Sequence, residues 1–366
     1  METNKIKQLQ EFGQHIWLDF LERKLIRSGQ LKKMIEQDGL RGMTSNPAIF
    51  EKAISSSKDY DEQIDQLAAQ DKDNEAIFYA LAIRDIQDAA DLFKSVFLPG
   101  ADGYVSLEVS PHLAHDTNGT IKQAVELWRK VDRENVMIKI PATIQGLPAI
   151  RRTISEGLNI NITLLFGLDR YEEVTEAYLS GLEDRVTAGQ PINRIASVAS
   201  FFLSRIDVLV DPMLEFRGHS HLKGEVAIAC AKKAYQIYKR VFSSERFRKL
   251  QQMGALPQRV LWASTGTKDP SFSDVKYIEA LIGPETINTV PMETLDAYRD
   301  HGNPASRLEH DLDKADQTLQ QLKMLDINLR YLAVQLENEG IEKFNKPYDQ
   351  LLQAIAGKRG KTMAPG

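Results

Sequence analysis

Val136-Met137-Ile138-Lys139-Ile140-Pro141 reads as a buried strand in every position but one. Burying an ammonium is costly, and a lysine held among apolar neighbours lowers that cost by losing its proton. The neutral amine is then the nucleophile that a carbonyl compound needs to form a Schiff base. The ordinary alternative is a strand-end lysine whose head group reaches water, and the flanking strands decide between the two. In Val105-Ser106-Leu107-Glu108-Val109-Ser110, apolar and polar residues alternate. A strand therefore puts Val105, Leu107 and Val109 on one face and Ser106, Glu108 and Ser110 on the other. Ile160-Asn161-Ile162-Thr163-Leu164 likewise sets Asn161 and Thr163 against Ile160, Ile162 and Leu164. Each run is followed by a helical stretch, which argues for parallel strands whose polar faces share one focus.

Working outward, short apolar or alternating runs lie near 16–19, 40–45, 104–110, 136–142, 159–166, 195–202, 259–265 and 287–291. Helix-period stretches such as 121–128, 171–182, 206–213 and 226–241 lie between them. Eight strands with helical crossovers are what a (β/α)8 TIM barrel requires. The competing doubly wound sheet calls for a glycine-rich phosphate turn after its first strand, and no such motif stands there. The interval from Pro47 to Pro99 is too long for one crossover helix and is expected to hold two or three. Residues 1–366 read as a single barrel domain with additional helices from about 304 and a loose tail from about 358. In that last region Leu325, Leu329, Leu332 and Leu336 form a helical packing stripe.

Composition narrows the class. Of 366 residues 42% are hydrophobic and 27% charged, enough for a large core in a soluble protein. A net charge of -5 without long charge blocks argues against nucleic acid or an anionic membrane as partner. Cys230, the single cysteine, lies in the helical run Val226-Ala227-Ile228-Ala229-Cys230-Ala231 and reads as a buried thiol. No apolar stretch approaches the ~20 residues of a membrane span, and the first residues lack a signal-peptide core. A cytoplasmic enzyme is expected.

The carboxyl ends of barrel strands form the face where chemistry collects. This sequence puts Asp19 on the first strand, Thr44 and Asn46 on the second, Glu108 on the third and Lys139 on the fourth. Asn161 and Thr163 follow on the fifth, Ser200 and Arg205 around the sixth, and Ser264 on the seventh. One amine, two carboxylates and several neutral hydrogen-bonding groups suit imine chemistry on a polyhydroxy ketone. His112 and His115 have no partner at metal-binding spacing and read as loop or cap residues.

These residues resemble the transaldolase family, in its longer bacterial form. Thr44-Ser45-Asn46-Pro47 is similar to that family's T-x-N-P strand end, Val136 to Thr143 to its Schiff-base strand, and Asn159 to Phe166 to its N-x-T-L-L-F strand. Ala199-Ser200-Phe201-Phe202-Leu203-Ser204-Arg205-Ile206-Asp207 and Trp262-Ala263-Ser264-Thr265 complete the likeness, which spans the chain from Asp19 to about Pro291. The resemblance implies that Lys139 forms an imine with the C2 carbonyl of a ketose phosphate and that Glu108 acts with a bound water. It implies that Asp19 takes the C4 hydroxyl proton as the C3–C4 bond breaks and returns it to the acceptor. Asn46 and Asn161 would hold the dihydroxyacetone unit, Thr163 would position the water, and Ser200 would complete the pocket. Arg205 and Ser264 would hold the substrate phosphate.

One departure stands out: two residues after Ser264 the family pattern has an arginine, and here the position is Gly266. Lys268 is the candidate to supply the charge, without the guanidinium's bidentate fork. The implied reaction moves dihydroxyacetone from sedoheptulose 7-phosphate to glyceraldehyde 3-phosphate, giving erythrose 4-phosphate and fructose 6-phosphate, in the non-oxidative pentose phosphate pathway. No metal or organic cofactor is expected, because the imine is the electron sink. The expected partners are sugar phosphates, for a monomer or homodimer. A class I aldolase that releases free dihydroxyacetone is the near alternative, and Phe202, an apolar aromatic beside the pocket, favours transfer over protonation. An inert sugar-phosphate-binding barrel is the remote alternative.

Overall fold

A computed structural model describes residues 4–362. Eight parallel strands close into a barrel in sequential order, β1 (Gln14–Asp19), β2 (Gly42–Thr44), β3 (Tyr104–Glu108), β4 (Val136–Pro141), β5 (Ile160–Leu165), β6 (Ser197–Phe202), β7 (Arg259–Ala263) and β8 (Thr286–Val290), with β8 returning to β1. The eight expected strands are all present. The first begins two residues early, because Gln14 turns its amide inward onto Leu281 O at 2.6 Å and Thr286 Oγ1 at 3.1 Å. All five residues of β3 are buried, as are all six of β4 and of β5. The polar faces read from alternation are therefore the barrel interior, and the apolar faces meet the helix layer, as parallel strands require.

Register places the row that matters. Glu108 on β3 pairs with Lys139 on β4, and Lys139 with Asn161 on β5. The alternation does not run to the end of β5. A register shift falls between Ile162 and Leu165, and Leu164 has φ of 54°, the left-handed region that a branched side chain rarely enters. Leu164 thereby leaves the apolar face expected for it and turns toward Gly340.

The Pro47–Pro99 interval holds three helices, Pro47–Ser56, Asp61–Ala68 and Asn74–Phe93. Asn46 caps the first by accepting from Ile49 N at 3.1 Å, with Pro47 at the position where a missing N–H costs nothing. Asp73 and Asp116 cap the helices Asn74–Phe93 and Thr117–Val131 in the same way. Cys230 is buried in the helix Val226–Phe242, and burial pushes its thiol up to about 12.

The C-terminal region departs most from expectation. The helix Leu312–Met324 ends in a turn at Asp326, with φ of 52°, so Leu325 lies in the connection and the packing stripe runs only through Leu329, Leu332 and Leu336 on the next helix. That helix, Leu329–Thr362, continues through the start of the expected loose tail. Lys358 donates to Ser57 O at 2.8 Å and Arg359 to Asn74 Oδ1 at 2.8 Å. Residues 363–366 of that expected tail lie outside the described residues. The helix crosses the carboxyl ends of the strands, packing on β5, the helix Pro47–Ser56 and the turn Pro111–Leu113. His112 in that turn bonds Asp349 at 2.7 Å, and His115 bonds Gln145 at 3.3 Å.

Trp17 fills the barrel interior beside β2, and a Cβ added at Gly42 would stand 2.5 Å from its indole carbons. Gly42→Ala is expected to lower unfolding free energy by on the order of 1–3 kcal/mol in urea denaturation, as overpacking does. An unchanged transition midpoint would contradict this packing.

Candidate active site

Lys139 is 5% exposed, and its ammonium is paired. Nζ donates to Ser45 O at 2.9 Å and lies 3.4 Å from Glu108 Oε2. The apolar surroundings read from sequence are thus corrected, because Ile138 and Ile140 face the helices while Lys139 faces the interior. Burial raises Glu108 from the ordinary 4.5 to about 6, with Lys139 pulling it down less strongly. This carboxyl can hold or release a proton near neutrality.

Around the amine lies a pocket of about 200 Å³ at the carboxyl ends of the strands. Asp19, Thr44, Asn46, Lys139, Thr163 and Ser200 line its floor, and Phe202, Arg205, Ser264 and Lys268 line its wall. Ten of the twelve residues singled out from the sequence therefore border one cavity, with Glu108 reaching it through Lys139 and Asn161 through Ser200. A larger cleft of about 1010 Å³ between outer helices is lined by apolar side chains and by charges several of which are paired, such as Arg170 with Glu173 and Lys233 with Asp316.

On the floor the hydrogen bonds form two chains. Ser200 Oγ donates to Asn161 Oδ1 at 2.7 Å, and Asn161 Nδ2 donates to Ser106 Oγ at 3.0 Å. Thr44 Oγ1 donates to Asp19 Oδ1 at 2.8 Å and lies 2.7 Å from Thr289 Oγ1. A carboxylate only accepts, so Thr44 spends its single proton on Asp19 and Thr289 donates to Thr44. Thr44 therefore orients Asp19. Burial raises the Asp19 pKa, against the pull of Lys139, the Thr44 bond and Arg205. Asn46 uses its carbonyl oxygen as a helix cap, which leaves its amide hydrogens for a ligand. Thr163 Oγ1, on the pocket, is buried with no hydrogen-bond partner among the described residues, and Glu108 Oε2 has only the Lys139 ammonium at 3.4 Å, so each has capacity left for a hydroxyl or a water.

The wall is cationic. Arg205 lies in the first turn of the helix Ser204–Phe216, its Nη1 buried without a hydrogen-bond partner and its guanidinium 5.4 Å from the Phe202 ring and 5.9 Å from the Phe344 ring. Ser204 and Ser264 hydroxyls bond at 2.8 Å, and Ser204 N donates to Ser264 O at 2.9 Å, tying the ends of β6 and β7 together. Gly266 carries no side chain, yet Lys268 Nζ lies 3.7 Å from where its Cβ would be. The ammonium thus occupies the space a side chain at 266 would enter. Phe344 and Glu293 also line the pocket and were missed in the sequence. Phe344 belongs to a helix that carries only a packing pattern, whereas Thr289 was readable as a polar residue inside an apolar strand.

An eight-stranded barrel with a buried lysine–glutamate pair at its mouth defines a class of enzymes acting on small polar substrates. The sequence matches the family described as Transaldolase/Fructose-6-phosphate aldolase over residues 16–355, and the chain belongs to it. A transaldolase of Saccharopolyspora erythraea is 46% identical over 358 residues, covering 97% of this chain and 98% of its own. Transaldolases of Trichodesmium erythraeum and Thiobacillus denitrificans are 45% and 44% identical, covering 98% and 96% of this chain and 98% and 99% of their own.

A test of the electrostatics follows from the raised Glu108 carboxyl. Between pH 4.5 and 6 the folded chain holds a proton at Glu108 that the unfolded chain releases. This stabilisation is complete below about 4.5 and is lost as pH rises through about 6. From pH 4.5 to 7 the wild type is therefore expected to lose on the order of 1–2 kcal/mol more unfolding free energy than Glu108→Gln. Parallel pH profiles for the two proteins would contradict the assignment.

Proposed function

We infer that the chain is a transaldolase, passing a dihydroxyacetone unit from a ketose phosphate to an aldose phosphate through an imine on Lys139. The observation that carries this reading is the triad of an enclosed amine, a carboxyl near neutrality beside it, and a second carboxyl across the same pocket. Lys139 gives a proton to Glu108, and the free amine attacks C2 of the ketose. The new ammonium nitrogen passes one proton to the C2 oxygen to give the carbinolamine, Glu108 returns its proton to that hydroxyl, the C2–O bond breaks, and water leaves with an iminium on Lys139. Asp19 takes the C4 hydroxyl proton while the C3–C4 electron pair moves into the iminium. The first aldehyde departs and the second is attacked, with Asp19 handing the proton to the new hydroxyl.

The other pocket residues fall into supporting roles. Ser200 and Asn161 hold the hydroxyls of the retained unit, Asn46 donates to it, and Thr163 orients the water that Glu108 needs. Arg205, Ser264 and Lys268 suit a phosphate, Arg205 as the fork and Lys268 as a point charge. The substrate pair is sedoheptulose 7-phosphate with glyceraldehyde 3-phosphate, and the setting a cytoplasmic one. Among the described residues, no helix is long and apolar enough to cross a membrane. The second reading, an aldolase releasing dihydroxyacetone, is disfavoured by Phe202, which walls the pocket with an apolar ring beside Arg205 and supplies no proton.

Lys139→Ala and Lys139→Arg are both expected to abolish transfer, because a guanidinium stays protonated and cannot attack a carbonyl. Appreciable transfer by either variant in an assay for erythrose 4-phosphate would sink the imine reading. Without acceptor, free dihydroxyacetone should not accumulate from fructose 6-phosphate. Its steady release would favour the aldolase.

The cationic wall has its own test. Lys268→Ala is expected to raise KM for phosphorylated substrates with little change in kcat, because phosphate is bound alike in ground and transition states. Arg205→Ala should cost on the order of 2–5 kcal/mol in kcat/KM, as removal of a partly desolvated charge partner does. An unchanged KM in Lys268→Ala would leave Arg205 and Ser264 as the whole phosphate site.

A further inference from the structure

The two oxygens of the Asp19 carboxyl are not equivalent. Oδ1 accepts from Thr44 at 2.8 Å, whereas among the described residues no donor reaches Oδ2, and the side chain borders the pocket. Asp19 ends β1, and Thr44 and Thr289 come from β2 and β8, the strands on either side of it. Thr289 Oγ1 lies 2.7 Å from Thr44 Oγ1, so the two hydroxyls bridge the strands that flank β1. Both residues are buried, which leaves little room for water to compete for either proton. Thr289 is held in its turn, its carbonyl accepting from Thr265 Oγ1 at 2.8 Å.

Each hydroxyl has one proton to give. A Thr44 lone pair turned toward an ionised Oδ1 would repel it, so donation runs from Thr289 to Thr44 to Asp19. A proton placed on Oδ1 would force Thr44 to turn its own toward Thr289, and Thr289 would lose the only acceptor its hydroxyl has among the described residues. A proton placed on Oδ2 disturbs neither hydroxyl. Donors that need not move as the charge changes are the arrangement that stabilises a reacting group at least cost.

We propose that Thr289 is a positioning residue for the C3–C4 step: by donating to Thr44 it holds the Thr44 proton on Asp19 Oδ1 and so reserves Oδ2 for the C4 hydroxyl proton of the ketose. The proposal rests on the imine reading. In cleavage the C4 O–H bond breaks and its proton goes to Oδ2, the C4–O bond becomes a carbonyl, and the C3–C4 electron pair moves into the iminium on Lys139. In addition the same proton returns from Oδ2 to the new hydroxyl. Thr289 acts through Thr44 and Asp19 and exchanges no proton with the sugar. Hydrogen bonds donated to a carboxylate favour its ionised form, here against the burial that raises Asp19. Without the Thr289 hydroxyl, Thr44 is free to accept from a protonated Oδ1, which favours the acid form. The charged groups that act on Asp19, namely Lys139 on β4, Arg205 in the helix Ser204–Phe216 and Glu293 in the helix Met292–His301, stay in place.

The test separates imine formation from cleavage. Full-length wild type, Thr289→Val and Thr289→Ser are mixed with fructose 6-phosphate without acceptor. The Lys139 adduct trapped by borohydride and the glyceraldehyde 3-phosphate released in the first turnover are followed together. Thr289→Val keeps the branched shape without the hydroxyl, and Thr289→Ser keeps the hydroxyl. Thr289→Val is expected to form the adduct at the wild-type rate yet release the aldehyde about tenfold more slowly, less than removal of a direct general base costs. The acid limb of its release rate should move to higher pH with KM unchanged, and Thr289→Ser should restore both rate and limb. No adduct in wild type would defeat the imine reading and the proposal with it. With that adduct present, release by Thr289→Val at the wild-type rate and with the wild-type pH profile would overturn the role of Thr289 alone. So would a slowing that Thr289→Ser shares, or one matched by an equal loss of adduct, either of which marks a packing defect.

Discussion

The row Glu108–Lys139–Asn161 across three neighbouring strands is the constraint on which the rest of the structure depends. Taking two opposite charges out of water costs several kcal/mol per ion, and their attraction repays it only when the remaining polar atoms are satisfied. Here Ser45 O accepts the ammonium directly, while Ser45 Oγ bonds to Ser106 O at 2.8 Å and Ser106 in turn accepts from Asn161. The strand ends are thus tied by the same groups that hold the pair. A closed parallel barrel makes this arrangement available, because every strand faces a shared interior at one height.

The C-terminal helix completes what the strands begin. Phe344 closes the pocket over Arg205, Gly340 lies against Leu164 and Arg205 Nη1, and Tyr348 walls a cavity behind Glu108. A Cβ at Gly340 would stand 2.9 Å from Leu164 Cδ2, so the helix approaches as closely as its backbone allows. The left-handed Leu164, which costs on the order of 1–3 kcal/mol in strain, lies at this contact. Strain of this kind persists only where surrounding packing over-determines the conformation.

Much of this was legible in the chain because its signals are local. Alternation with period two marked Glu108, Asn161 and Thr163 as one face, and Thr44-Ser45-Asn46-Pro47 marked a strand passing into a capped helix. The barrel followed from the order of such runs. What stayed hidden depends on contacts distant in sequence. The run around Lys139 suggests apolar neighbours, whereas its partners come from β3 and the end of β2. Leu164 was assigned by alternation that a bulge breaks, and no pattern in 329–362 says that Phe344 and Tyr348 reach the catalytic face. Thr44 is on the pocket as expected, but only the bond to Asp19 shows what its hydroxyl is for.

The central claim is that Lys139 becomes covalently joined to the ketose. Its most direct test is borohydride reduction in the presence of fructose 6-phosphate, followed by peptide mapping. The account expects one stable adduct with the mass of the reduced imine, on the peptide containing Lys139 and absent without sugar. No adduct, or an adduct on any other lysine, would contradict it.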